Sequence, residues 1–234
     1  QVLSSLPREL HELLINIAVL DAVTPAALAA FASQGDGNYV FHLLRQYGVL
    51  TSHVPPQIHP LIRHALLEKL QTQRHRLVRV TRRAVDLALA DGAYQQAWHV
   101  AEGTRCWECA RDVIVAAARA LHAQGAWAQL VEWVQRLPDS DQDQAILEIL
   151  ARCQKELGDL DGALLTLTRL KATATEPAQQ QEYSIRLATV HQKRGDIDTA
   201  HYLIQPYLID AALSPRQRAH VYHIPVSYTH LTLP

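Results

Sequence analysis

The chain has no methionine, three cysteines, nine glycines and two phenylalanines in 234 residues. An odd, sparse cysteine count excludes the disulfide framework of a small secreted domain and fits a reducing cytoplasm better. No apolar run approaches the roughly 20 residues of a membrane helix, and no basic-then-apolar signal segment opens the chain. No membrane partner is therefore expected. Neither sign of charge dominates: 22 Lys+Arg face 23 Asp+Glu, and the pI is near 7. That balance excludes a strongly basic nucleic-acid binder or an acidic tail as the dominant character. Scarce glycine beside abundant alanine and leucine favours helices over strands. Apolar residues make up 48%, enough for a sizeable core in one or two domains.

The missing initiator leads us to expect a fragment of a longer protein. The last nine residues, Val226-Ser227-Tyr228-Thr229-His230-Leu231-Thr232-Leu233-Pro234, resemble the in-frame translation of a transposase sequencing adapter. Residues 225–234 are accordingly expected to be a non-native tail.

Residues 1–70 do not repeat but have an order. A helix opens at Leu6-Pro7-Arg8-Glu9-Leu10, with Leu10, Leu13, Leu14, Ile17 and Leu20 on one face. Thr24-Pro25 reads as an N-cap followed by proline at the first helical position. The helix it starts is expected to run to about Ser33, and Gly35-Asp36-Gly37 is a turn. A third helix places Val40, Leu43 and Leu44 inward and ends at Gly48. Two short β-like runs, Val49-Leu50-Thr51 and Gln57-Ile58-His59, flank Val54-Pro55-Pro56. Pro60 then starts a helix carrying Leu61, Ala65, Leu66 and Leu70. Three helices, a small hairpin and another helix predict a winged-helix-like domain.

Residues 71–224 read as helices throughout, with an internal repeat. Gly92, Gly125, Gly158 and Gly195 mark short turns near a 34-residue period. Two residues after each stands Tyr94, Trp127, Leu160 or Ile197. Five after stands Ala97, Leu130, Ala163 or Ala200, and seven before stands Val85, Ala118, Ala151 or Ala188. Glycine permits the left-handed backbone that ends a helix, and small residues at the other two positions let paired helices approach. One hairpin cannot bury both apolar faces, so neighbours must stack. The expected fold is mostly α: a winged-helix-like unit followed by a right-handed α-solenoid of degenerate tetratricopeptide-like helix pairs. Pro206 is expected to kink or end the second helix of the last pair.

Taken together, these parts resemble the large MalT-like regulators of the LuxR class. The stretch Leu13-Leu14-Ile15-Asn16-Ile17-Ala18-Val19-Leu20-Asp21, then Thr24-Pro25, is similar to their opening helix. Leu43 to Leu50 resembles the segment ahead of their wing. Ile58-His59-Pro60-Leu61-Ile62-Arg63 resembles the His-Pro-Leu motif that opens the helix after it. Residues 92–101 resemble the turn of their first helical pair, with His99-Val100-Ala101 departing slightly. The resemblance covers residues 1–223. It implies the sensor and relay part of a cytoplasmic, signal-responsive transcription regulator. Such a part binds a small-molecule inducer or a regulatory protein through its helical repeats and contacts a nucleotide-binding domain in cis. ATP is expected only in that missing upstream domain, because no G-x-x-x-x-G-K-[ST] loop occurs here. The alternative is a tetratricopeptide-like protein-interaction scaffold without a DNA-binding role.

Candidate sites divide between functional and structural readings. Tyr94, Trp98, Trp127 and Trp133 are flat rings that would suit a ligand or partner groove, although Tyr94 and Trp127 sit beside turns where core is usual. His59, Arg63, Arg74 and Arg76 are candidates for an interdomain contact, with His59 also read as the residue capping the helix that starts at Pro60. The run Arg74, Arg76, Arg79, Arg82 and Arg83 is suited to phosphate. Residues 1–62, however, hold two arginines against four acids, so no direct nucleic-acid binding is expected. Cys106-Trp107-Glu108-Cys109 would need a second pair to hold zinc and reads as two small packed groups after a helix cap at Thr104. His53, His59 and His64 lack a carboxylate or thiolate partner for a metal. No Ser/His/Asp, paired-carboxylate or Cys/His arrangement supports an enzyme, and no cofactor or metal site is expected in this chain.

Overall fold

The computed structural model describes residues 6–32 and 36–207. The expected tail at 225–234, the expected end of the repeat region and two residues of the anticipated boundary, Ser33 and Gly35, lie outside them. The chain divides into two compact units, Gln1–Ala116 and Ala117–Pro234. The described residues are mostly helical.

The first unit opens with α1 (Arg8–Ile17), α2 (Pro25–Phe31) and α3 (Gly37–Gln46). Helix α1 buries Leu13, Leu14, Ile15 and Ile17. The chain stays in the core after the helix ends, with Ala18, Val19, Leu20 and Val23 all buried. Thr24 caps α2, its hydroxyl accepting the Ala27 N–H at 3.1 Å, with Pro25 in the first turn. Asp36 caps α3 by accepting the Asn38 N–H at 2.9 Å. Gly37 stands where α2 and α3 nearly touch: a Cβ there would collide with the Pro25 carbonyl oxygen. Helix α3 buries Val40 and Leu44.

The arm after α3 pairs Leu50 with Ile58 in a single antiparallel bridge. The Thr51 N–H donates to the Gln57 carbonyl at 2.7 Å and the His59 N–H to the Val49 carbonyl at 2.8 Å. Val54, at the tip, is 96% exposed. Helix α4 (Pro60–Gln71) buries Leu66 and Leu70. Leu61 is 76% exposed and Ala65 is exposed too, so half of the apolar set expected on this helix faces outward. The unit continues through α5 (Arg74–Ala90), α6 (Tyr94–Gly103) and the first part of α7 (Trp107–Ala123).

The second unit holds the remainder of α7, then α8 (Trp127–Arg136), α9 (Gln144–Leu157), α10 (Leu160–Thr173), α11 (Pro177–Arg194) and α12 (Ile197–Ile204). Helix α9 packs on α8 and α10, α10 on α11, and α11 on α12. Leu147, Ala151, Ala163, Leu167, Leu170, Tyr183, Leu187 and Val190 form one core across α9, α10 and α11. Helix α12 ends at Ile204 and a short 3-10 turn, Gln205–Tyr207, carries Pro206.

One turn recurs in both units. Gly92, Gly125, Gly158 and Gly195 all lie in the left-handed region, at φ 68, 72, 81 and 89°. At the first, the Gly92 N–H donates to Leu89 at 3.0 Å and the Ala93 N–H to Ala88 at 2.8 Å; at the last, Gly195 donates to Gln192 at 3.0 Å and Asp196 to His191 at 2.9 Å. This is the paired closure of a Schellman motif, which satisfies the last helix carbonyls. The apolar residue two positions on (Tyr94, Trp127, Leu160, Ile197) starts the next helix every time. The residue five on (Ala97, Leu130, Ala163, Ala200) is fully buried every time.

Candidate functional site

The N-terminal unit is held together by two arginines that reach far along the chain. Arg63, on the first turn of α4, donates from Nε to the Ala18 carbonyl at 2.9 Å and from Nη2 to Asp21 Oδ1 at 2.8 Å. It thus ties the helix after the wing to the buried connection between α1 and α2. Arg76, on α5, donates from Nη2 to Asn16 Oδ1 at 2.8 Å and pairs with Glu12 Oε2 at 2.8 Å. Glu12 and Asn16 lie one helical turn apart on α1, so their side chains share a face. The Arg76 guanidinium holds the Glu12 carboxyl below its ordinary value, against an opposing push from burial. Arg82 repeats the arrangement, with Glu108 at 2.6 Å and Asp112 at 2.9 Å, again one turn apart.

The four residues predicted for an interdomain contact are placed differently from one another. Arg63 and Arg76 are engaged within their own unit. Arg74 and His59 are exposed. His59 occupies the capping position of α4, but its side chain makes no capping hydrogen bond. Its backbone does the anchoring, the N–H to Val49 and the carbonyl from Arg63.

The four aromatics also separate. Trp98 and Trp133, at 0 and 2% exposure, are among the largest fully buried side chains, so neither ring offers a face to a ligand. Tyr94 and Trp127, each the first residue of its helix, are half-buried. Trp127 donates from Nε1 to the His122 carbonyl at 3.1 Å, and its ring meets the His122 ring at 5.9 Å, which fixes it across its turn.

The second unit carries two polar arrangements the sequence did not single out. Tyr183, buried on α11, donates to Glu148 Oε1 at 2.6 Å and accepts from Gln144 at 2.9 Å, joining α11 to α9. Burial first, and then Glu148, pushes its hydroxyl up to about 12. Thr166 donates to Gln154 at 2.9 Å in the buried seam between α9 and α10. Gln144 and Glu148 again stand four apart on one face, which is the signal a sequence reading could have used.

The cysteines depart from expectation. Cys106 and Cys109 are disulfide-bonded and buried, not merely packed as small groups. Thr104 closes α6 and does not open α7, donating to the Val100 carbonyl at 2.8 Å. Cys153 is free and buried, and burial pushes its thiol up to about 11. Among the described residues no group of three or more His, Cys, Asp or Glu is placed to hold a metal ion. No helix among them is long and apolar enough to cross a membrane.

Residues 1–78 match the family model described as the MalT winged helix domain. The match agrees with the helix, arm and helix order found in the first unit, and it supports a winged-helix domain of the transcription-regulator type in that stretch. No curated protein matches the chain, and no solved structure does.

Proposed function

We propose that this chain is the sensor and relay part of a cytoplasmic, signal-responsive transcription regulator of the LuxR class. In this reading residues 1–70 are the winged-helix domain and residues 71–224 a right-handed solenoid of tetratricopeptide-like helix pairs. The observation that carries it is the MalT winged-helix match at residues 1–78 running into helix pairs that share one turn at Gly92, Gly125, Gly158 and Gly195.

A small-molecule inducer or a regulatory protein binds along the repeats, and of the candidate rings Tyr94 and Trp127, each at the start of its own helix, are the ones left half-buried. Binding favours one packing of the repeats over another and so shifts a population. The exposed His59 and Arg74 meet a nucleotide-binding domain in cis, while Arg63 and Arg76 stiffen the unit that carries them. ATP belongs to that upstream domain, since no phosphate-cradling G-x-x-x-x-G-K-[ST] loop occurs in the 234 residues. The chain itself performs no catalysis and makes no direct contact with nucleic acid.

Recovering the flanking gene from the same source tests this. An upstream frame encoding a Walker-type loop, with a helix-turn-helix downstream, is the expected result. An upstream frame without that loop overturns it. A gene that stops soon after residue 223, with no DNA-binding domain, favours a plain interaction scaffold instead.

A further inference from the structure

The C-x-x-C at the start of α7 is a motif the regulator reading leaves unused. The Cys106 carbonyl accepts the Ala110 N–H at 2.9 Å, so Cys106 caps α7 and Cys109 is the third residue of its first turn. Their Cα atoms are 5.3 Å apart and the sulfurs are bonded. The unsatisfied N–H groups and partial positive charge of a helix N-terminus favour a thiolate at the capping position. A crosslink at a sequence separation of three removes little chain entropy from the unfolded state, since that gain grows with loop length. A permanent staple would therefore stabilise little here.

The residue before the pair adds a second observation. Arg105 adopts φ 52°, the left-handed conformation that glycine occupies in the other turns of this kind. Its N–H donates to Glu102 and the Cys106 N–H to Ala101, both at 2.9 Å. A side chain in this conformation strains the backbone, and the strain sits beside Cys106, one of the two buried sulfurs.

We infer that Cys106 and Cys109 form a reversible dithiol–disulfide site whose substrate class is a low-molecular-weight disulfide. The Cys106 thiolate attacks one sulfur of the oxidant, whose S–S bond breaks to release one thiolate and leave a mixed disulfide. The Cys109 sulfur, losing its proton, then attacks Cys106 and expels the second thiolate. Two electrons pass from the protein pair to the oxidant, and a dithiol reductant reverses both steps. This site stands apart from the regulator reading and survives its failure.

The test equilibrates the full chain in graded ratios of oxidised to reduced glutathione, alkylates it under denaturing conditions and maps the peptides by mass. The 106–109 peptide should pass from doubly alkylated to unalkylated at a defined ratio and return on adding dithiothreitol to the folded protein. Cys153 should stay alkylated throughout. Cys109→Ser should accumulate a glutathione adduct on Cys106. Both thiols remaining alkylated at every ratio overturns the proposal, as does a pair that dithiothreitol cannot open in the folded state. The wild-type titration decides these outcomes even if the variant does not fold. An adduct on Cys109 in Cys106→Ser, with none on Cys106 in Cys109→Ser, overturns the assignment of the attacking sulfur.

Discussion

The winged-helix region and the helices from α9 to α12 are secured by opposite means. In the first, the ties reach across the sequence: Arg63 to Ala18 spans 45 residues and Arg76 to Asn16 spans 60. In the second, the ordering devices are mostly local. Asp159 caps α10 through the N–H of Gly162, three residues on, and Gly158 and Gly195 close their helices with bonds to the preceding turn. The bond from Tyr183 to Glu148, 35 residues apart, is an exception in that second region. Local devices repeat with the sequence and survive a change elsewhere. Long-range ties are single points on which a unit depends.

That difference is tested hardest at the closest approach in each region. Gly37→Ala would drive a Cβ into the backbone of α2, which cannot yield as a flexible side chain could. We expect a loss of about 2–3 kcal/mol of stability, read by urea unfolding. In the helix pairs Ala163 and Ala200 are buried alanines, and the tight glycine, Gly162, would set a Cβ against the side chains of Asp159 and Gln154 rather than against backbone. A cost below about 0.5 kcal/mol would show that α2 and α3 can slide apart, and the contrast in tolerance would go with it.

Next in size is Arg76→Met, which keeps the apolar stem and removes the guanidinium. Asn16 and Glu12 would lose the charged donor they share, at a cost of about 2 kcal/mol, and the loss should be confined to the first unit. Amide exchange should quicken in α1 and α5 while α9 to α12 keep their protection. Equal loosening in the second unit would break the distinction drawn here.

These two regions were also unequally legible. The turn glycines, the first residues of the following helices and the Thr24 cap could be read directly, because each depends on neighbours within a few residues. Arg63 and Arg76 could not. Their partners Ala18, Asp21, Glu12 and Asn16 lie on elements whose approach no local pattern encodes, so the arginines read as candidates for a contact with another domain rather than as ties within their own unit. Ala18, Val19 and Val23 were hidden for the same reason: they are buried beyond the end of α1, with no helical period to announce them. Leu61 failed in the other direction, an apolar residue at helical spacing that faces solvent. Trp98 and Trp133 needed coordinates as well, since an aromatic on a helix has the same pattern whether it lines a groove or fills a core.

The turns allow a paired test with opposite signs. Gly158→Ala and Gly195→Ala place a Cβ in open space, so only the backbone conformation resists, and each should cost about 1 kcal/mol. Arg105→Gly relieves the same strain where arginine now bears it and should gain about 0.5 kcal/mol, the added freedom of glycine in the unfolded chain offsetting part of the relief. Thermal unfolding of the three variants side by side separates them. Loss of stability in Arg105→Gly would mean that the arginine side chain does more for its turn than its backbone costs.

The smallest effect is a titration, and it sets one carboxylate from each region against the other. Glu12 is held below its ordinary 4.5, first by the hydrogen bond from Arg76. Asp196, capping α12, is held below its ordinary 3.8, first by the hydrogen bond from the Thr199 side chain. A carboxylate whose pKa is lower in the folded chain contributes stability above its unfolded value and loses it as pH falls through the folded one. Both contributions are therefore whole at neutral pH and fade in acid. Carboxyl NMR titration of Arg76→Met should move the Glu12 midpoint up toward 4.5 and leave Asp196 where it was, because the partner of one is long-range and the partner of the other is three residues away. A Glu12 midpoint that stays put would show that the Arg76 tie is not formed in solution, and the first region would then need another account of what joins α5 to α1.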